Sequence, residues 1–154
     1  MFELCVNEAR FGLARVLPTL LSFNPQTVEV LEVGAGPCIL AAYLASKGLR
    51  VTAVEPLGQE FDFLADLQGR VLEFCRGNSI ELNLVRTEGE QLDLPSRFDL
   101  AFTINSLEHA RAAADHPAPN VVGHSRGTAK VVLLGEVLKL RWRGPTTPLR
   151  VTLG

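Results

Sequence analysis

The segment from Val28 to Pro56 constrains the fold of this chain more than any other part of the sequence. A β-branched run that ends at Val33 predicts a buried strand, and an apolar stretch followed by Gly48 predicts a helix and its stop. A second strand then ends directly before Glu55. The predicted order is a strand (Val28–Val33), a glycine turn (Gly34-Ala35-Gly36), a helix (Cys38–Lys47) and a strand (Arg50–Val54). Such a unit is typical of an α/β fold with a parallel sheet.

The residue types around the glycine turn indicate the kind of ligand that this unit binds. Gly34 and Gly36 allow positive φ angles and a close approach of the backbone to a ligand. Pro37 suits the first turn of a helix, where its missing N–H is no loss, and the N–H groups at a helix start favour anions. Glu55, 21 residues after Gly34, offers two acceptor oxygens to a ribose diol. Together they predict a site for a nucleoside-bearing cofactor at the carboxyl edge of the sheet.

Residues near the turn distinguish between two cofactor classes. The dinucleotide fingerprint has glycine or alanine five residues after its first glycine, and this chain has Ile39 there, which disfavours a nicotinamide cofactor. Glu32 precedes Gly34 by two residues, so the turn reads E-V-G-A-G-P. This resembles the first motif of class I S-adenosylmethionine-dependent methyltransferases. Cys38 stands where that family has a third glycine.

The resemblance continues along the chain and covers Leu31 to Ala110. Glu55-Pro56 is similar to the family's acidic residue after the second strand, and Thr87–Pro95 (TEGEQLDLP) is similar to its acidic loop after the third. The segment RFDLAFTINSLEHA resembles the fourth strand and its exit, in the form found in a branch with many small-molecule methyltransferases.

The resemblance implies S-adenosylmethionine as the cofactor and a small-molecule methyl acceptor. Gly34 and Gly36 would cradle the methionine part, and Glu88 would contact the adenine. His109 is a candidate general base, because its ordinary pKa near 6.5 allows proton uptake at neutral pH, although a structural role at a helix start is an alternative. The implied cofactor-binding residues are Glu32, Gly34, Ala35, Gly36, Glu55, Pro56, Leu57, Glu88, Gly89 and Asn105.

The remaining hydrophobic patterns predict a single domain, residues 1–154, with a Rossmann-like sheet in the order 3-2-1-4. Further helices are predicted over Phe2–Leu21 and Glu60–Arg76, and strands around Ile80–Val85 and Phe98–Ile104. Residues 1–110 would form the cofactor-binding core and 111–154 a divergent basic tail. A sheet that ended at strand four would leave an open edge, so Val131–Leu134 is predicted to dock as a strand beside Phe98–Ile104. Glu136–Trp142 is a candidate to pair with Val131–Leu134.

Charge and composition limit the other functions. Residues 1–110 carry 8 basic and 15 acidic side chains, whereas 111–154 carry 7 and 2, yet the basic residues show no regular face, which disfavours nucleic-acid binding. The longest apolar run, Cys38–Ala45, is too short to cross a membrane, so we expect a cytoplasmic protein. The three cysteines contain no C-x-x-C pair, so no metal site is predicted and buried thiols are expected.

One motif in the tail suggests a different enzyme class. Gly123-His124-Ser125-Arg126-Gly127 fits the G-x-S-x-G nucleophile elbow of α/β-hydrolases. In that fold the acid and histidine follow the serine, but only Glu136 follows Ser125 here, and no histidine does. The order of these residues therefore disfavours a hydrolase.

Three hypotheses for the function stay open: an active small-molecule methyltransferase, a truncated or degenerate relative that binds cofactor without catalysis, and an NAD-binding oxidoreductase. The oligomeric state and the acceptor are not predicted.

Overall fold

A computed structural model describes residues 2–57, 64–87 and 98–104, together with the backbone of four strands between 120 and 153. Its elements alternate between helix and strand through the first half of the chain. In chain order they are α1 (Phe2–Leu20), β1 (Glu29–Val33), α2 (Ile39–Ser46), β2 (Arg50–Val54), α3 (Ala65–Gly77), β3 (Leu82–Val85), β4 (Leu100–Ile104), β5 (Asn120–Val121), β6 (Lys130–Leu134), β7 (Leu138–Arg141) and β8 (Leu149–Leu153).

Five strands form one parallel sheet in the order β3-β2-β1-β4-β6. This confirms the predicted order 3-2-1-4. It also confirms that Val131–Leu134 docks beside the fourth strand, because Val131 pairs with Ala101 and Leu134 with Ile104 in parallel register. The predicted pairing of Glu136–Trp142 with Val131–Leu134 is wrong. Strand β7 pairs antiparallel with β8 instead, in a separate three-stranded sheet that also contains β5.

The three described helices pack against one face of the parallel sheet. Alternation along each strand sends one set of side chains to that face, and these form the main core with the inner sides of the helices. The second face bears a smaller cluster of Leu31, Val54 and Phe98. The strand residues of the main core are Val30, Val51, Ala53, Leu100 and Phe102. The sheet is therefore buried on the helical side by continuous apolar contact, as parallel sheets require.

Helix α1 crosses the helical face close to the end of β4. Gly12 is buried, and a Cβ atom there would collide with the side chain of Ile104 and lie 2.9 Å from Leu40 Cδ2. The missing side chain at Gly12 therefore lets the helix approach the sheet. Pro18 lies inside this helix, which continues to Leu20.

Helix α2 ends as the sequence predicts but starts one residue later. Gly48 follows the helix with φ +86°, as expected for a glycine stop. At the other end, Pro37 is not in the first helical turn but precedes the helix, which starts at Ile39. The reason is Cys38, whose φ of +60° places it in the left-handed region and outside the helix.

The state of the three cysteines was also predicted from the sequence. Cys5, Cys38 and Cys75 are buried free thiols, as predicted. Within the described part of the chain, no helix combines the length and apolar character needed to cross a bilayer, and no group of acidic, histidine or cysteine side chains has the arrangement of a metal site.

Candidate functional site

The site lies at the carboxyl ends of β1 and β2, where the chain turns into α2. Gly34 and Gly36 have φ angles of +71° and +50°, so the positive φ expected at both glycines is present. The N–H groups of Gly34 and Ala35 donate to the carbonyl of Val54 at 2.8 and 3.1 Å. These two bonds fix the turn to the neighbouring strand.

Glu55 connects the second strand to the glycine turn. Its Oε2 accepts a hydrogen bond from the N–H of Gly36 at 2.7 Å, and its Oε1 accepts one from the N–H of Leu57 at 3.0 Å. The residue is 7% exposed. Because a carboxylate oxygen has two lone pairs, each oxygen can still accept a second donor. The carboxylate is thus held in one orientation with acceptor capacity left over.

Glu32 lies on the helical face of β1, under the start of α2. Its carboxyl is 4% exposed and accepts a hydrogen bond from the backbone N–H of Ala41, so a carboxyl of the protein itself occupies this part of the helix N-terminus. Burial, with the nearby charge of Glu55 as a smaller cause, raises the pKa of Glu32 to about 8. Among the described residues, its Oε2 is buried without a hydrogen-bond partner.

Cys38 occupies the position at which the resemblance expects a third glycine, and its backbone conformation shows why glycine suits that position. A φ of +60° is uncommon for a residue with a side chain. The thiol is fully buried, its Sγ lies 3.7 Å from the Gly36 carbonyl oxygen, and burial raises its pKa to about 12. The thiol is therefore uncharged and unreactive at neutral pH.

Gln68 is a site residue that sequence reasoning missed. It projects from α3, is fully buried, and its Nε2 donates to the carbonyl oxygen of Gly36 at 2.8 Å. Its position carried a signal: four residues after Leu64 and seven before Cys75, it is the polar member of an otherwise apolar helical stripe. A buried polar side chain at such a position requires a specific partner.

The remaining predicted site residues divide into two groups. Pro56 and Leu57 follow Glu55 directly, and Leu57 has a positive φ of +46°. The structure thus brings Glu32, the glycine turn and residues 55–57 to one edge of the sheet. The other predicted residues lie outside the described residues: Glu88, Gly89, Asn105 and His109, together with the serine motif around Ser125.

Comparisons with known proteins agree with this arrangement. A model of a methyltransferase domain matches residues 31–118. An uncharacterized protein from Mycobacterium tuberculosis is 34% identical over 102 residues, which cover 66% of this chain and 33% of that protein. The ubiquinone biosynthesis O-methyltransferase of Rickettsia conorii is 22% identical over 152 residues, covering 89% of this chain and 50% of that protein. The chain thus spans between a third and a half of the length of these curated relatives.

A solved structure shows the same fold. Magnesium protoporphyrin IX methyltransferase from Synechocystis PCC 6803, with bound S-adenosylhomocysteine, superposes with a TM-score of 0.50 at 16% identity, over 64% of this chain and 42% of that one. The family match begins in β1, includes the glycine turn, Glu55 and β4, and takes in more than half of the chain. The chain belongs to the class I S-adenosylmethionine-dependent methyltransferase family.

Proposed function

We propose that this chain binds S-adenosylmethionine at the glycine turn and transfers its methyl group to a small-molecule acceptor. The observation that carries the proposal is the oriented carboxylate of Glu55 beside two positive-φ glycines, Gly34 and Gly36. They lie where the sheet order reverses between β1 and β4, the place at which open α/β sheets bind ligands.

The residues present fit this cofactor. The two oxygens of Glu55 are suited to the ribose diol, since each retains a lone pair after its bond to a backbone N–H. The Oε2 of Glu32 is buried, and no described residue satisfies it. An ammonium group of a methionine moiety nearby, directly or through water, would favour the ionised form of this carboxyl and would then give Oε2 a hydrogen-bond donor. Both groups face the same edge of the sheet as the turn.

The chemistry of methyl transfer requires little covalent help from the protein. The cofactor supplies a methyl group on a sulfonium, which a nucleophile displaces in line. Holding two reactants aligned can contribute about 7–11 kcal/mol to lowering a barrier. Gly34, Gly36 and Glu55 would serve this positioning, and His109 would accept a proton from the acceptor if the acceptor loses one. Glu88, Gly89 and Asn105 stay proposed contacts of the cofactor.

The nature of the acceptor rests on the relatives and on the sequence. The rickettsial relatives are named as O-methyltransferases of ubiquinone biosynthesis, which favours a small molecule with an oxygen nucleophile. The branch that the segment after β4 resembles contains many small-molecule methyltransferases, which favours a small-molecule acceptor without naming its nucleophile. A cytoplasmic location remains a prediction.

Titration calorimetry with S-adenosylhomocysteine and with NAD tests the proposal. We expect S-adenosylhomocysteine to bind and NAD to give no heat. Binding of NAD alone would indicate an oxidoreductase. Binding of S-adenosylhomocysteine without methyl transfer to any of a broad panel of small oxygen nucleophiles would favour a non-catalytic relative. Absence of binding by either compound would refute a cofactor site at this edge.

Two substitutions at the site sharpen the test. Gly34→Ala should weaken binding, because a Cβ atom obstructs the backbone approach. Gly48→Ala is the matched control, since Gly48 also has a positive φ but lies at the far end of α2 with open space around it. Glu55→Ala removes the ribose acceptor and should cost about 1–3 kcal/mol of binding free energy. Equal affinities in wild type, Gly34→Ala and Glu55→Ala would contradict the assignment.

A further inference from the structure

Gln68 makes a connection between α3 and the glycine turn that no apolar residue could make. Its side chain is fully buried, and its Nε2 lies 2.8 Å from the Gly36 carbonyl oxygen and 3.6 Å from Cys38 Sγ. Only the amide nitrogen can donate to a carbonyl, so this contact fixes which way the amide points. Within the described part of the chain, the buried Oε1 has no hydrogen-bond partner. A purely space-filling residue would avoid that cost.

The bond from Gln68 completes the restraint of Gly36. The N–H of Gly36 donates to Glu55 Oε2, and its carbonyl accepts from Gln68 Nε2. The peptide planes on both sides of Gly36 are therefore held by side chains from two other elements. Rotation of either plane would break one of the two bonds.

The same amide also contacts the residue with the least favourable backbone conformation in the turn. Cys38 has φ +60° without the freedom of glycine, and its Sγ lies against both Gln68 Nε2 and the Gly36 carbonyl. Such conformations persist where the surroundings hold them in place. Gln68 is positioned to hold Gly36 and Cys38 together.

We propose that Gln68 is a positioning residue for the cofactor, acting through the Gly36 carbonyl and the Cys38 thiol. The inference rests on the proposed function, because it assumes that the cofactor meets the turn and Glu55. If Gln68 releases the turn, Gly36 no longer orients the Glu55 carboxylate that is expected to receive the ribose. Loss of Gln68 then weakens cofactor binding indirectly, through the glycine turn and the Glu55 carboxylate, both of which stay in the variant.

The test compares Gln68→Leu with wild type by titration of S-adenosylhomocysteine, urea unfolding and amide hydrogen exchange. Leucine fills the buried position with an apolar side chain that is one heavy atom shorter than glutamine, and it removes both polar contacts. We expect affinity to fall about tenfold, in the range of one lost hydrogen bond, while stability stays close to wild type because the unpartnered Oε1 is also removed. Protection of the Gly36 amide should fall, and that of the Val30 amide in β1 should not.

Val71→Ala is the matched control. Val71 lies one helical turn further along α3 and packs against the main core, and its apolar side chain makes no hydrogen bond to the turn. Its truncation should lower stability and leave affinity unchanged, the opposite of the pattern for Gln68→Leu. If Gln68→Leu fails to fold, Gln68→Met supplies the same comparison with a more flexible side chain.

The exchange measurement separates this inference from the proposed function. If wild type does not bind S-adenosylhomocysteine, the proposed function fails, and the role of Gln68 in holding the turn is then judged from Gly36 protection alone. Reduced protection in the variant supports that role. Unchanged protection overturns it, and so does an affinity equal to wild type in a folded variant when wild type binds.

A double-mutant cycle tests the link to Cys38. In a Cys38→Gly background the glycine at position 38 adopts a positive φ without support from Gln68. Gln68→Leu should therefore reduce affinity less than it does in the wild-type background. An equal reduction in both backgrounds would overturn the part of the inference that runs through Cys38.

Discussion

Replacing Glu32 by glutamine should change how the stability of this protein depends on pH. In the folded protein, burial raises the pKa of Glu32 from 4.5 to about 8. A carboxyl whose folded pKa is raised contributes stability that is fully present below the unfolded pKa and is lost as pH rises through the folded pKa. Between these two values the folded state holds one proton that the unfolded state has released.

The size of the effect follows from this proton difference. The unfolding free energy should fall by about 1.4 kcal/mol for each pH unit between the two pKa values. Integrated from pH 5.5 to 7.5 with pKa values of 4.5 and about 8, the loss attributable to Glu32 is roughly 2–3 kcal/mol. A glutamine side chain cannot titrate, so the Glu32→Gln variant lacks this loss.

Urea unfolding of both proteins across that pH range measures the effect. Other titrating groups are shared, so the difference between the two unfolding free energies isolates Glu32. Glutamine introduces a constant offset, because its amide meets the Ala41 N–H differently, but only the slope carries the prediction. Glu29→Gln is the matched control, since Glu29 lies on the same strand with its carboxylate 3.0 Å from Arg50 and partly exposed to solvent. Its substitution should shift the curve without changing the slope.

A constant difference between wild type and Glu32→Gln from pH 5.5 to 7.5 would refute this reasoning. It would mean that Glu32 is ionised in the folded protein and that its burial is compensated by contacts beyond those with Ala41. A slope difference of opposite sign would mean that the folded carboxylate is stabilised.

The remaining predictions concern packing, the turn and the tail. Gly12→Val should lower the unfolding free energy by about 1–3 kcal/mol, because the new side chain collides with the sheet. Gly69→Ala should raise it by about 1 kcal/mol, because Gly69 lies in the interior of α3 with open space around it. Urea titrations that show a change of the same sign for both variants would contradict the packing argument. Cys38→Gly should tighten binding of S-adenosylhomocysteine in calorimetry, because glycine adopts φ +60° without strain, and weaker binding would show that the thiol packs usefully. Deleting residues 120–154 should cause aggregation, measured by light scattering, because the edge of β4 is exposed once β6 is removed. Amide exchange of Val131–Leu134 should be slow in the full chain. Fast exchange of these amides, together with a truncated protein that stays soluble, would show that the tail is not part of the fold.

Local sequence patterns were sufficient for much of the fold. The strand Arg50–Val54 has the bounds that its apolar pattern indicates, and Gly48 ends α2 as glycine's access to positive φ predicts. The docking of Val131–Leu134 was also predictable, because a parallel sheet cannot leave a long apolar edge uncovered. The pairing of β7 with β8 was not, since strands of similar composition compete and only the three-dimensional arrangement selects the partner.

For the candidate site, the sequence by itself placed Glu32, the glycine turn and Glu55 at the carboxyl edge of the sheet. The spacing from Glu32 through the glycine turn to Glu55 predicts this placement, because a strand–turn–helix–strand unit brings the turn and the end of the second strand to the same edge. Only the tertiary structure decided how these residues are held. Gln68 is 32 residues from Gly36 along the chain, and the bond between them forms because α3 packs beside α2. The elevated pKa of Glu32 has the same origin: burial is a property of the packed fold, and neither the residue nor its neighbours in sequence carry it.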